Sequence, residues 1–536
     1  MRFLNWLYFI EIVVCLIILN SIRVCHSQSS FTSLKSLCDL TIYSNTCHEN
    51  FAPIINDSKT TYNSQLLYEH SVQISINEVS RASKNFSENG TFVKTFQSIG
   101  DDKNFNSALE SCNVLFSLAL HNLNSSLPTS SYKTRDDLIT WLSASNANLQ
   151  TCLDGYEYAP NEVKELAINI LKKSRELISN SLAIISKIDH NWIRSSSSSK
   201  IARDSVPTWL SSKDRKLLER SKRKIKHDVV VAADGSGNYR TINGALSVVP
   251  RNSNTRFVIY VKKGVYHENV KVDVSKWNVL MHGDGMDHTI VSGNLSNADG
   301  FSILASATFA VHGKGFIARD MAFQNTAGPS KYQAVALLAT ADLSIFHRCR
   351  IDAYQDTLFT QSNRQFYREC KIYGTIDFIF GDSSVVIQMS TILLKRPLHG
   401  QSNVITAQAK NDPNSNTGIS IHKCVIAPAE DLHGVRTFLG RPWKDYSTTI
   451  FMQNQLGSLI DPKGWLPWGD SVKAPDTIFY AEYNNKGFGA VTKDRVRWKG
   501  LKLNISHLQA SKFTVRSFIN GFQWLPGTGV PFELDL

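Results

Sequence analysis

"AYQDTLFTQSNRQFYRECKIYGTIDFIFG", residues 353–381, carries the pattern that decides the fold of the second half of this chain. Its two aspartates, Asp356 and Asp377, stand 21 residues apart; Cys349 and Cys370 repeat that separation, and Gln333 precedes Gln355 by 22. A period of this length among short β-rich runs indicates a solenoid whose coils stack by parallel strand pairing. Neighbouring strands in such a stack lie about 4.8 Å apart, so residues one coil apart become lateral neighbours. The spacing therefore brings Asp356 and Asp377 onto one face and sets Cys349 to bridge Cys370. Asp377 interrupts the apolar run Ile376, Phe378, Ile379, Phe380. A carboxylate taken out of water without a partner costs several kcal/mol, so Asp377 must be paired or used.

Around this stretch the region from residue 228 onward reads as all-β. Runs such as "FVIYV", "NVLMHG", "TIVSG" and "FAVHGKGF" are separated by Gly, Asn and Asp. "GSGNY" at 235–239 lacks the Lys-Ser/Thr of a phosphate loop and reads as a turn. His312, His347 and His422 have no metal-ligand spacing and are expected to be solvent-facing or satisfied core residues. Phe366, Tyr367, Phe378 and Phe380 read as core stacks, one or two of them reaching the groove.

The first half follows a different period. Phe105, Ala108, Leu109, Cys112, Phe116 and Ala119 fall on one helical face, and Leu138, Trp141, Leu142, Leu149, Cys152 and Leu153 nearly repeat the pattern. With a further helical pattern from 162 to 188, residues 38–190 are expected to form an antiparallel four-helix bundle. Matching stripes predict a Cys112–Cys152 bridge, and short loop closure predicts Cys38–Cys47. Outside the leader seven cysteines remain, an odd number, which leaves Cys424 as a thiol.

Residues 1–27 have the basic start and short apolar run of a secretory signal, and Glu11 within the run argues against a permanent membrane span. Six Asn-x-Ser/Thr sequons, at Asn56, Asn85, Asn89, Asn124, Asn294 and Asn504, fit an extracellular chain. Between the halves, residues 194–227 form a Ser-rich and basic linker. Its stretch 213–227 supplies half of the net charge of +12. Without interleaved aromatics this run reads as an exposed, protease-accessible segment and not as a nucleic-acid site. The remaining positive charge suits an acidic polysaccharide.

Two carboxylates on adjacent coils can serve glycoside hydrolysis, calcium-assisted elimination or acyl transfer, and spacing alone does not choose among them. Longer strings do. "GVYHENV" (264–270), "FQNTAGPSKYQAVAL" (323–337), "AYQDTLF" (353–359), "YGTIDFIFG" (373–381), "LGRPWKDYS" (439–447), "GWLPWGDS" (464–471), "FYAEYNNKG" (479–487) and "TGVPFEL" (528–534) closely resemble the signature segments of plant pectinesterases. "TWLSASNANLQTCLDGY" (140–156) is similar to the inhibitor-like pro-region of that family, and "RKLL" (215–218) to its processing site.

The resemblance implies a multidomain chain: signal peptide 1–27, inhibitor-like helical pro-region 28–193, linker 194–227, and a right-handed parallel β-helix at 228–536. It implies hydrolysis of galacturonate methyl esters in pectin, in the cell wall, without a metal or other cofactor. It also implies a processing protease, and a proteinaceous pectinesterase inhibitor as a further partner. Carried over residue by residue, Asp377 would be the nucleophile and Asp356 the general acid and base. Gln333 and Gln355 would stabilise the oxyanion, Arg441 would orient Asp377, and Trp443 would stack on a sugar ring. Four positions depart from the family pattern: Ile303 for Thr, Leu338 for Arg, Asp382 for Asn and Lys410 for Arg. None is a proposed chemical group, so the expected effect is on substrate preference or rate.

Overall fold

The computed structural model describes residues 37–55, 64–96, 102–127, 133–188, 226–469 and 473–536. The expected leader, the sequon at Asn56 and most of the linker, "RKLL" included, lie outside the described residues.

Helices α1 (Ser44–Ile55), α2 (Ser64–Asn85), α3 (Thr91–Thr95), α4 (Lys103–Ser126), α5 (Arg135–Asp154) and α6 (Asn161–Lys187) build the first half. The long four, α2, α4, α5 and α6, form the bundle and bury one shared core. Phe86, Phe92, Phe105, Phe116 and Tyr156 cluster at one end of that core; Phe86 stacks on Phe92 with centroids 4.4 Å apart. Both expected bridges of this half are present, Cys38–Cys47 and Cys112–Cys152. Helix α5 starts at a capping box in which Thr134 and Asp137 satisfy each other's backbone N–H groups.

The second half is a right-handed parallel β-helix. Its strands form three sheets of 11, 7 and 8 strands, each pairing parallel with the coil before and the coil after. The seven-stranded sheet carries the site, and its strands are β1 (Val270–Val272), β2 (Phe309–Val311), β3 (Leu337–Ala339), β4 (Leu358–Thr360), β5 (Ile379–Gly381), β6 (Asn403–Gln408) and β7 (Thr437–Gly440). The strands are short and rich in β-branched and aromatic residues because each coil turns after three to six residues. Inside, Phe309, Phe316, Phe346 and Tyr367 run as an aromatic column; Phe346 stacks on Tyr367 at 4.8 Å.

Tyr367 and Phe378 lie in this interior, Phe366 lies under the C-terminal segment, and Phe380 faces the groove. His312, His347 and His422 are core residues: His312 Nδ1 meets Thr340 Oγ1 at 2.8 Å and His422 Nε2 meets Gln453 Oε1 at 3.0 Å.

One bridge expected from the coil period does not form. Cys349 and Cys370 occupy aligned rungs, between the pairs His347–Arg368 and Arg350–Lys371, yet both are buried thiols, as is Cys424. In an in-register parallel ladder successive Cβ atoms point the same way, so the sulfurs sit side by side, whereas a disulfide requires Cβ vectors that converge. Cys349 Sγ approaches the His347 carbonyl at 3.5 Å and Cys370 Sγ that of Phe346 at 3.3 Å.

Candidate active site

Three successive coils meet at the site. Gln333 and Gln355 pair across a parallel bridge, Asp356 N donates to Ile376 O at 3.1 Å, and Thr375 N donates to Tyr354 O at 3.0 Å. Asp356 and Asp377 take left-handed backbone conformations, with φ of 62° and 51°. Aspartate tolerates this region better than most residues, and it turns each side chain out of the alternation set by the following strand. This explains a carboxylate inside an apolar run: Asp377 faces the groove while Phe378 faces the interior. Gly374 makes room for the reversal, since a Cβ there would stand 2.3 Å from the Phe378 ring.

Both carboxylates are nearly inaccessible, Asp356 at 6% and Asp377 at 5% exposure. Arg441, just past β7, reaches back to Asp377: Nε donates to Oδ1 at 2.9 Å, and Nη2 bonds Oδ2. Among the described residues no hydrogen bond or ion pair to the Asp356 side chain occurs. Burial, then the Asp377 charge, push Asp356 well above the usual carboxylate range. Burial raises Asp377 as well, but the guanidinium opposes it, so Asp377 is raised less than Asp356. Arg441 also lies over the Trp468 ring at 4.4 Å, and Trp443 stacks beside Trp468 at 6.0 Å.

Ala310, Leu338, Phe359, Phe380 and Ala407 align rung by rung along the outer face of the sheet, with Ile303, Leu304, Trp443 and Trp468 packed against them. An outward-facing ladder should be wet, yet Leu338, Phe359 and Phe380 are at most 2% exposed. The bundle is what approaches this face. Leu304 packs into the bundle core, Ser302 bonds Ser107 and Ser111 of α4, and α5 runs along the C-terminal ends of the strands. There Trp141 Nε1 donates to Asp342 Oδ2 at 3.0 Å, Gln361 Nε2 to Thr151 Oγ1 at 3.1 Å, and Asn146 and Gln150 hold Asn411. Asp137, already part of the α5 capping box, takes an Arg364 nitrogen at 2.7 Å while Arg364 also grips Asp342. The turn after α5 brings Glu157 and Tyr158 to the mouth of the site, where Glu157 further raises Asp356. Tyr158 remains 80% exposed, so the mouth is overhung but not sealed.

Sequence reasoning named Gln333, Gln355, Asp356, Asp377, Arg441 and Trp443, and the fold brings all six to one groove. It passed over Arg364 and Asp342 and read Trp141 only as part of the bundle's core face, because contact between the two halves leaves no periodic signal. Of the departures from the family pattern, Ile303 and Leu338 belong to the apolar face of the groove. Asp382 and Lys410, just past β5 and β6, attract each other, and burial pushes the Asp382 carboxyl up to about 7.

The family model described as Pectinesterase matches residues 228–522, more than half of the chain. The chain belongs to the pectinesterase family. A second family model, plant invertase/pectin methylesterase inhibitor, matches residues 32–184 of this pectinesterase. An Arabidopsis thaliana relative named as both pectinesterase and pectinesterase inhibitor is 49% identical over 523 residues, covering 95% of this chain and 89% of the relative. Pectinesterase 3 of Phaseolus vulgaris is 42% identical over 521 residues, 95% of this chain and 88% of that one. Among solved structures, pectin methylesterase from carrot is 50% identical with a TM-score of 0.58, and the match covers 59% of this chain and 99% of the carrot chain. Among the described residues of the pectinesterase, no helix is long and apolar enough to cross a membrane.

Proposed function

We propose that this pectinesterase hydrolyses methyl esters of galacturonate units in pectin, releasing methanol and leaving pectate, with Asp377 as nucleophile. An Asp377 oxygen attacks the ester carbonyl carbon, and the amides of Gln333 and Gln355 donate to the tetrahedral oxyanion. Collapse breaks the bond to methoxide, a poor leaving group that takes its proton from Asp356. Ionised Asp356 then removes a proton from water, which hydrolyses the acyl-enzyme and frees Asp377. Trp443 offers its ring to a sugar.

The observation that carries this division of labour is the Arg441 guanidinium, bonded to Asp377 and not to Asp356. Of two adjacent carboxyls, the one with the cation stays charged and attacks; the one pushed up by burial and by its neighbour keeps a proton to give.

The reading extends to the life of the chain: entry into the secretory route by residues 1–27, a helical pro-region to residue 193, cleavage within 194–227, and action of 228–536 in the cell wall. The sequon asparagines Asn89, Asn124, Asn294 and Asn504 are exposed, as a glycosylated chain requires. The bundle along the groove favours cleavage before full activity. Methanol release from methylated pectin by residues 228–536 tests the reading. Unsaturated products or new reducing ends in place of methanol would mean a lyase or a glycosidase; no product at all would mean a non-catalytic wall protein.

A further inference from the structure

Arg441, Arg364 and Lys395 each pair with a carboxylate of the β-helix itself: Asp377, Asp342 and Asp352. Lys444 does not. Among the described residues its one ion-pair partner is Asp154, in the last turn of α5, at 2.6 Å. The backbone of Lys444 is fixed, with N–H on Ser447 Oγ at 3.1 Å and the carbonyl receiving the same hydroxyl at 2.7 Å. Its ammonium is therefore displayed, 4.9 Å from the centre of the Trp443 ring and three residues past Arg441. Among the described residues no acid of the β-helix pairs with it. Once the bundle leaves, that cation loses Asp154 while it stands beside the Trp443 ring offered to the sugar.

We propose that Lys444 recognises the free carboxylate of a de-esterified uronate unit next to the unit being hydrolysed, and that Asp154 stands in for that carboxylate while the bundle is docked. The inference rests on the pectin reading above and gives it a substrate preference: chains already carrying some free carboxylates bind better than fully methylated ones. A uronate carboxylate has the charge and the two-oxygen geometry that Asp154 presents, and a charge-assisted bond of this kind is stronger than one between neutral groups. Asp154 is itself steadied by Gln150, whose Nε2 donates to the same oxygen at 2.8 Å.

The test uses residues 228–536; the solved carrot pectin methylesterase matches 59% of this chain over 99% of its own length. Initial rates of methanol release are measured on fully methylated pectin and on pectin with about half of its esters removed. K444Q should raise KM about tenfold on the second substrate and no more than about twofold on the first, with kcat retained, because one charge-assisted bond is lost. K444R should restore most of the wild-type KM. De-esterified oligogalacturonate should compete against the wild type and about tenfold less well against K444Q. An unchanged KM on both pectins, or the same rise on both, would overturn the assignment and reduce Lys444 to an anchor for the bundle. A wild-type domain that releases no methanol from either pectin would overturn the esterase reading instead.

Discussion

The two halves treat sulfur in opposite ways. In the bundle Cys112 and Cys152, on neighbouring helices with Cα atoms 4.8 Å apart, are joined; in the β-helix Cys349 and Cys370, on adjacent rungs at nearly the same spacing, are not. Distance is common to both, and direction separates them. Packed helices can aim their Cβ atoms at each other, whereas an in-register ladder aims them in parallel. The difference shows how each half is held together. The bundle is small and locks its core with covalent links, while the β-helix repeats one packed layer many times and needs none among its described cysteines.

The contrast is most strongly tested at the groove, where one β-helical side chain should control all of the chemistry. Asp377→Asn in residues 228–536 should lower methanol release roughly 10⁶-fold, as loss of a covalent nucleophile does, while pectin still binds. Retention of substantial activity would place the nucleophile elsewhere. The paired substitution Cys112→Ser, Cys152→Ser should cost the bundle about 2–5 kcal/mol in chemical denaturation. Cys349→Ser should leave the bundle untouched, and a reductant should not shift the melting of residues 228–536. A reductant-sensitive β-helix would break the contrast.

A smaller effect is expected at Asp382. Its carboxyl is raised from 3.8 to about 7 by burial, so the folded state holds the proton more tightly than the unfolded chain does. That stabilisation is complete below the unfolded value and is lost as pH rises toward about 7, above which a buried charge remains. Asp382→Asn should therefore flatten the fall in stability between these limits. At pH 8 it should raise stability on the order of 2–4 kcal/mol. Equal pH slopes for variant and wild type in urea unfolding would contradict this.

Much of this was legible in the sequence because the solenoid writes its geometry as a period. The 21-residue spacing that aligned Asp356 with Asp377 also aligned Leu338, Phe359 and Phe380 on the outer face. The helical stripes likewise exposed Cys112 and Cys152. Spacing gives rung and face but not the aim of a bond, so the same period that located Cys349 beside Cys370 implied a bridge that does not form. Nor could it reveal that Asp377 escapes the interior through a left-handed residue at its own position. The Asp137–Arg364–Asp342 cluster and the Lys444–Asp154 pair depend on two independent folds meeting, which leaves no pattern along either one.

The central claim is the separation of roles between two adjacent carboxyls, and leaving-group dependence tests it most directly. Asp356→Asn in residues 228–536 should lose about 10²–10⁴-fold on a methyl ester, because methoxide departs without a proton. A uronate ester with a better leaving group should restore a rapid first release in this variant, followed by slow turnover, and should not rescue Asp377→Asn. If both variants respond alike to the activated ester, the assignment of nucleophile and acid is contradicted and water attacks the ester directly.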